Sequence, residues 1–163
     1  MNELPEFWRV EIWHPLSIHF PLALLLFGTV FYLIGFGLKK RFLENMAKVL
    51  VLLGTLSAWL SVYTGNIADA EVVREICDPT VLEIHEQNAY VVATLFSIAS
   101  LLIVTEYYGF MRKLTRYVRF FIAVFLLVGS GFLSYTGHLG ATLVYQQSAG
   151  VYTPSEDCNE FTD

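Results

Sequence analysis

Charged residues vanish from this chain over four long intervals. No Asp, Glu, Lys or Arg lies between Glu11 and Lys39, between Lys48 and Asp69, between Glu86 and Glu106, or between Arg119 and Glu156. The runs inside them, such as Leu22 to Leu38 (LALLLFGTVFYLIGFGL) and Phe120 to Leu133 (FFIAVFLLVGSGFL), suit helices that satisfy their own backbone groups while crossing a bilayer. The pattern predicts an all-α integral membrane four-helix bundle, with spans at 15–38, 46–67, 79–108 and 118–140. With 163 residues, little chain is left for a second folding unit. The expectation is therefore a single domain over 1–163 with a C-terminal tail from 141 to 163. Acidic residues ahead of the first apolar run, with no small-residue cleavage site after it, argue against a cleavable signal.

Prolines mark the expected helix starts. Pro15 suits a first helical turn, where its missing N–H is harmless, and Asp78-Pro79 reads as a cap followed by proline ahead of the third span. Pro21 falls inside the first span, frees the Ser17 carbonyl and predicts a kink beside His19.

Charge sets the orientation. Eight of the ten basic residues fall in two connections, Lys39, Lys40, Arg41 and Lys48, then Arg112, Lys113, Arg116 and Arg119. Short loops rich in Lys and Arg stay in the cytoplasm, which puts both termini outside. Thirteen of the fifteen acids lie on that outer side, leaving it at about −11 and the inner side at about +6. The formal net charge of −5 hides this division. The outer rim can attract a basic soluble partner, although a solvated acidic rim is its ordinary reading.

Cys77 and Cys158 both fall outside, where disulfides persist. A Cys77–Cys158 bridge is expected, tying the tail across the outer end with a benefit of a few kcal/mol. The chain has no CxxC or CxxCH, which argues against zinc sites built on cysteine and against covalent c-type haem.

All four histidines, His14, His19, His85 and His138, fall at the outer end. A lone histidine there usually turns its polar edge to the headgroups beside residues such as Trp13, Tyr63 and Tyr135. Four together, with none elsewhere, favour a shared site. Counting along each span places His19 and His138 at one depth and His14 and His85 about 7 Å further out. The count ranks His19 and His138 first as axial ligands of haem iron, with His14 and His85 serving a second haem or a metal; a mixed pair such as His19 with His85 also meets the requirement. Glu83 and Glu86 flank His85 and are candidate acceptors for its ring. Ser17 and Asn88 are candidates for hydrogen bonds between helices.

The chain also repeats. Tyr63-Thr64-Gly65-Asn66 matches Tyr135-Thr136-Gly137-His138 72 residues later, so the bundle is expected to consist of two repeated helical hairpins. Glycines along the spans suit close approach of helices or of a flat cofactor.

The segments His14-Pro15-Leu16-Ser17-Ile18-His19-Phe20-Pro21 and Gly137-His138-Leu139-Gly140-Ala141-Thr142-Leu143-Val144-Tyr145, followed by Gly150-Val151, resemble the signatures of a bacterial family of four-helix membrane proteins of unknown function. That family opens on HPxxVHFP and finishes on GxxGGxLVYxxGxGV; this chain has Ala141 where a second glycine is usual. Relatives fused to c-type cytochrome or Rieske segments imply membrane electron transfer with haem b. This chain carries neither module, so the resemblance implies a separate redox partner.

Together these readings predict a multi-pass protein of the bacterial inner membrane, holding one or two haem b groups. It would carry electrons between a carrier such as quinol and a periplasmic or membrane redox protein, more an electron-transfer protein than a stand-alone enzyme. The competing reading is a non-redox accessory subunit, either structural or holding copper or zinc through the same imidazoles. The spans are compatible with a homo-oligomer, and nothing in the chain suits nucleic acid.

Overall fold

A computed structural model describes residues 9–151, which form four helices: α1 Val10–Leu38, α2 Arg41–Val72, α3 Pro79–Tyr107 and α4 Thr115–Gln147. Each is long and apolar enough to cross a membrane. Lys39, in the left-handed conformation at φ 54°, turns α1 into α2. A short 3-10 turn at Arg112–Leu114 leads from α3 to α4. Asp78 caps α3 as expected, accepting the Thr80 N–H at 3.0 Å and the Thr80 hydroxyl at 2.6 Å, with Pro79 in the first turn.

Helices α1, α2 and α4 outrun the expected spans, and α3 matches its span to within one residue. α1 begins five residues before Pro15, so this proline lies inside the helix rather than at its start. α4 continues to Gln147, and residues 141–147 are helix rather than tail. Hydropathy measures the thickness of the apolar layer, whereas backbone hydrogen bonding carries a helix past it. Cys158 lies outside the described residues, and so does the expected Cys77–Cys158 bridge; Cys77 is exposed.

Packing is densest inside the hairpins α1/α2 and α3/α4 and thinner between them. The hairpins do repeat, in a different register from the sequence match. A Cβ on Gly54 would fall 2.6 Å from Leu25, and one on Gly129 would fall 3.0 Å from Phe96. Leu25 and Phe96 are 71 residues apart, Gly54 and Gly129 are 75 apart. The Tyr-Thr-Gly match at 72 is therefore three residues out of register for α2 and α4. Three residues is nearly one helical turn, so either register keeps the same face inward and the sequence alone does not separate them.

The core runs from mid-bundle toward the end carrying the basic connections, around Leu25, Tyr32, Val51, Phe96, Ile122 and Leu126, all completely buried. That end is drawn together by charge. Arg119 of α4 pairs with Glu44 of α2, and Lys48 of α2 meets Glu106 of α3 at 2.7 Å. The Tyr32 hydroxyl donates to the Arg119 carbonyl at 3.2 Å, and the guanidinium lies 5.5 Å from the centre of the Phe36 ring. Gly35 makes this possible, since a Cβ there would sit 2.8 Å from the Glu44 backbone nitrogen. Lys48 and Arg119 are thus helical residues in ion pairs rather than loop charges.

Candidate functional site at the histidine end

At the opposite end the hairpins part around a cavity of about 500 Å³ lined by all four helices. Its wall includes His14 and His85, whose rings face each other edge to face with centres 6.1 Å apart and planes at 86°. Each ring is fixed in the same way. The Nδ1 of His14 lies 3.0 Å from the Ser61 carbonyl, and the Nδ1 of His85 lies 3.1 Å from the Thr136 carbonyl. A carbonyl only accepts, so Nδ1 carries the proton and donates it in both rings. That tautomer leaves the Nε2 lone pair of each neutral imidazole available to a metal.

Glycine shapes the seat of each ring. A Cβ on Gly65 would lie 3.1 Å from His14, and one on Gly140 would lie 3.3 Å from His85. In both halves this glycine stands one helical turn beyond the residue whose carbonyl accepts from the ring. The equivalence of His14, Ser61 and Gly65 with His85, Thr136 and Gly140 again follows offsets of 71 and 75 residues. Each hairpin therefore delivers one identically held imidazole.

The four histidines do not share one centre. His19 and His138 are exposed, and neither lies on the cavity wall. Five residues separate His14 from His19, a rotation of about 140° at 3.6 residues per turn, so the two cannot face the same way. Glu83 accepts from Gln87 within α3, and His85 is oriented by the Thr136 carbonyl. The Ser17 and Thr64 hydroxyls do link α1 to α2, at 2.9 Å, whereas Asn88 donates to Ile84 of its own helix.

Two polar atoms on the cavity wall, Ser61 Oγ and Asp69 Oδ1, are buried with no hydrogen-bond partner among the described residues, a situation natural proteins keep rare. The cavity is roofed by a small apolar cluster, Val72, Ile76 and Leu143 with Val81, Leu82 and Ala149. Arg9 fastens this roof through the Gly150 carbonyl at 3.3 Å, and the Asp78 N–H donates to Gln147 Oε1 at 2.9 Å. Among the described residues no three His, Cys, Asp or Glu side chains come together as a metal-binding group.

The carbonyls, Gly140 and the roof were not singled out from the sequence, whereas Gly65 was among the span glycines expected to let helices or a flat cofactor approach. A usable signal existed for both glycines, because Gly65 and Gly140 stand one turn past Ser61 and Thr136 at the histidine end of the second helix of each hairpin.

The profile of the family described as "Predicted membrane protein (DUF2231)" matches residues 12–153, from the first turn of α1 past the end of α4. The chain belongs to this family. No curated protein and no solved structure matches it. Membership makes the chain a membrane protein and supplies no chemistry, so the function rests on the site.

Proposed function

We propose that this protein is a membrane b-type cytochrome whose His14 and His85 are the two axial ligands of a single haem. The observation that carries this reading is the matched pair of imidazoles, one from each hairpin, each with Nδ1–H tied to a backbone carbonyl. A backbone acceptor on the second nitrogen is the usual companion of a metal-bound histidine, because it fixes the tautomer and the ring orientation. With ring centres 6.1 Å apart, His14 and His85 are close enough that their Nε2 lone pairs would hold one metal between them. The volume of about 500 Å³ suits a cofactor-sized molecule, and Gly65 and Gly140 leave room where side chains would intrude.

The donor set favours haem over bare copper or zinc. Protein sites for zinc supply three or four ligands, and no such group occurs among the described residues. Haem asks the protein for one or two ligands, since the macrocycle supplies the rest. When bound, haem provides a one-electron couple at iron. The chain itself presents two neutral imidazoles, holds their orientation through the Ser61 and Thr136 carbonyls, and limits water access with the roof. The basic residues Lys39, Lys40 and Arg41, with Arg112, Lys113 and Arg116, support an orientation in which the opposite end faces the cytoplasm of a bacterial inner membrane. His14 and His85 would then hold the haem where its one-electron couple is available to an extracytoplasmic redox protein. The reduced-minus-oxidised visible spectrum of the purified full chain, expressed with ample haem, should show low-spin haem b. A featureless spectrum would overturn the proposal.

A further inference from the structure

The two seams between the hairpins are built differently. In the α2/α3 seam, Trp59 Nε1 donates to Ser97 Oγ at 2.9 Å and Asn66 Nδ2 donates to Tyr90 OH at 2.8 Å. The Trp59 and Tyr90 rings also meet edge to face, 6.4 Å between centres. The repeat offsets carry Trp59, Ser97, Asn66 and Tyr90 onto Ser134, Leu26, Ala141 and His19 of the α1/α4 seam. None of these remakes the bolts. Ala141 has no donor, Leu26 has no acceptor, and the Ser134 hydroxyl donates to Ser130 of its own helix at 2.9 Å.

The α1/α4 seam is tied further from the histidines instead, by the Ser130 hydroxyl to Thr29 Oγ1 at 3.0 Å and the Tyr32 hydroxyl to the Arg119 carbonyl at 3.2 Å, and at the histidine end the cavity wall reaches the surface along it. Leu22 lines the cavity yet is 40% exposed, whereas its counterpart Ala93 is fully buried. Gly137 and Ala141 also line the cavity and are exposed, and nothing lies within 4 Å of a Cβ placed on Gly137. Leu22 precedes the end of α1 by sixteen residues, about 24 Å of helix, so the opening sits within the apolar layer. His19 and His138, next in sequence to Ile18 and Gly137 of the cavity wall, are exposed, and no hydrogen bond of either imidazole occurs among the described residues.

We infer that the α1/α4 seam is a lateral portal at which a quinone-class carrier docks from the lipid. An apolar tail matches Ile18, Leu22 and the open strip at Gly137, and the ring oxygens match the imidazoles of His19 and His138. The inference rests on the haem reading for the electron's destination, whereas docking itself requires no haem.

A photoreactive azido-quinone in proteoliposomes holding the full chain tests the portal, with labelled sites mapped by mass spectrometry. Label should concentrate on residues 18–22 and 137–141 and be displaced by unlabelled quinol but not by added phospholipid. Transplanting the opposite seam's polar bolt, with His19→Tyr and Ala141→Asn together, should abolish that label. Gly137→Leu, which fills open space, should do the same if the double variant does not fold. His19→Ala and His138→Ala should each weaken quinol competition about tenfold, the effect of one hydrogen bond. Label spread evenly over all lipid-facing surfaces, label on the α2/α3 seam, or label indifferent to these changes would overturn the portal. Spectra of the same samples separate the two ideas: low-spin haem without seam label removes the portal alone, and seam label without haem bands removes the haem reading alone.

Discussion

The two ends of the bundle solve opposite problems with the same pair of hairpins. At the histidine end the helices stand apart around a cavity, and polar groups fix two imidazoles. At the other end they close on a neutral set of two acids and two bases, Glu44, Glu106, Lys48 and Arg119. Burying ions is expensive, and an apolar core of equal volume is often as stable. The ion pairs therefore specify more than they stabilise: they join α2 to α3 and to α4 at one level, which fixes the hairpins against each other and lets the far end remain open. A bundle packed uniformly along its length would have no cavity.

The sharpest way to break this contrast is to act on the histidine end alone. His14→Ala or His85→Ala should abolish the low-spin haem spectrum, and His19→Ala or His138→Ala should preserve it. Gly65→Leu and Gly140→Leu should also exclude haem, because each pushes a side chain into an imidazole seat. Gly131→Leu, where nothing lies within 4 Å of a Cβ, should leave the spectrum intact. Retention of full low-spin haem in both the His14 and His85 variants would remove the assigned ligand pair.

At the charged end the expected loss is stability rather than cofactor. The Glu44 side chain is only 5% exposed, so Glu44→Gln leaves Arg119 to the Glu106 carboxylate at 3.8 Å and should cost about 1–3 kcal/mol, toward the low end because Arg119 also reaches solvent. Unfolding of the detergent-solubilised protein in SDS measures it. A change below about 0.5 kcal/mol, ordinary for a surface site, would mean that the pair does not hold the bundle together.

Gly35 tests how that end is permitted to close. An added methyl meets the Glu44 backbone as well as its side chain, and backbone yields less readily than a side-chain tip. Gly35→Ala should therefore destabilise by about 1–3 kcal/mol, while Gly131→Ala should be neutral or slightly stabilising through helix propensity. Equal effects at the two positions would contradict the close approach.

These effects also mark what was legible in the chain. The spans were, because loss of charge over about 20 residues has one common physical cause. The gathering of histidines at one end was legible for the same reason, as it depends only on position along each span. Which histidines meet was not, since it depends on helix rotation, and the depth count that favoured His19 and His138 carries no angular information. The repeat was visible but its register was not, because a slip of three residues hardly alters which face points inward. The charged cluster was missed because Lys48, Glu106 and Arg119 bound the charge-free runs and Glu44 stands one turn before Lys48, where charges are ordinarily assigned to loops.

The smallest effect concerns Asp78, which caps α3 and sits beside the roof of the cavity. Hydrogen bonds from the Thr80 hydroxyl and N–H hold its carboxyl below the ordinary carboxylate pKa. A depressed folded value means that the unfolded chain binds more protons in the acidic range. The contribution is thus complete above the ordinary carboxylate pKa and fades as pH falls through the folded value. Asp78→Asn keeps a side-chain oxygen that can cap the helix and removes the titration. The wild-type chain should therefore melt slightly above Asp78→Asn at neutral pH, and the gap should shrink on acidification toward the depressed pKa. Because the group is fully exposed, the gap should be the least of those considered. A gap that widens with acid would show that the ionised carboxylate does not hold the cap, and the link from Asp78 through Gln147 to the cavity roof would need another anchor.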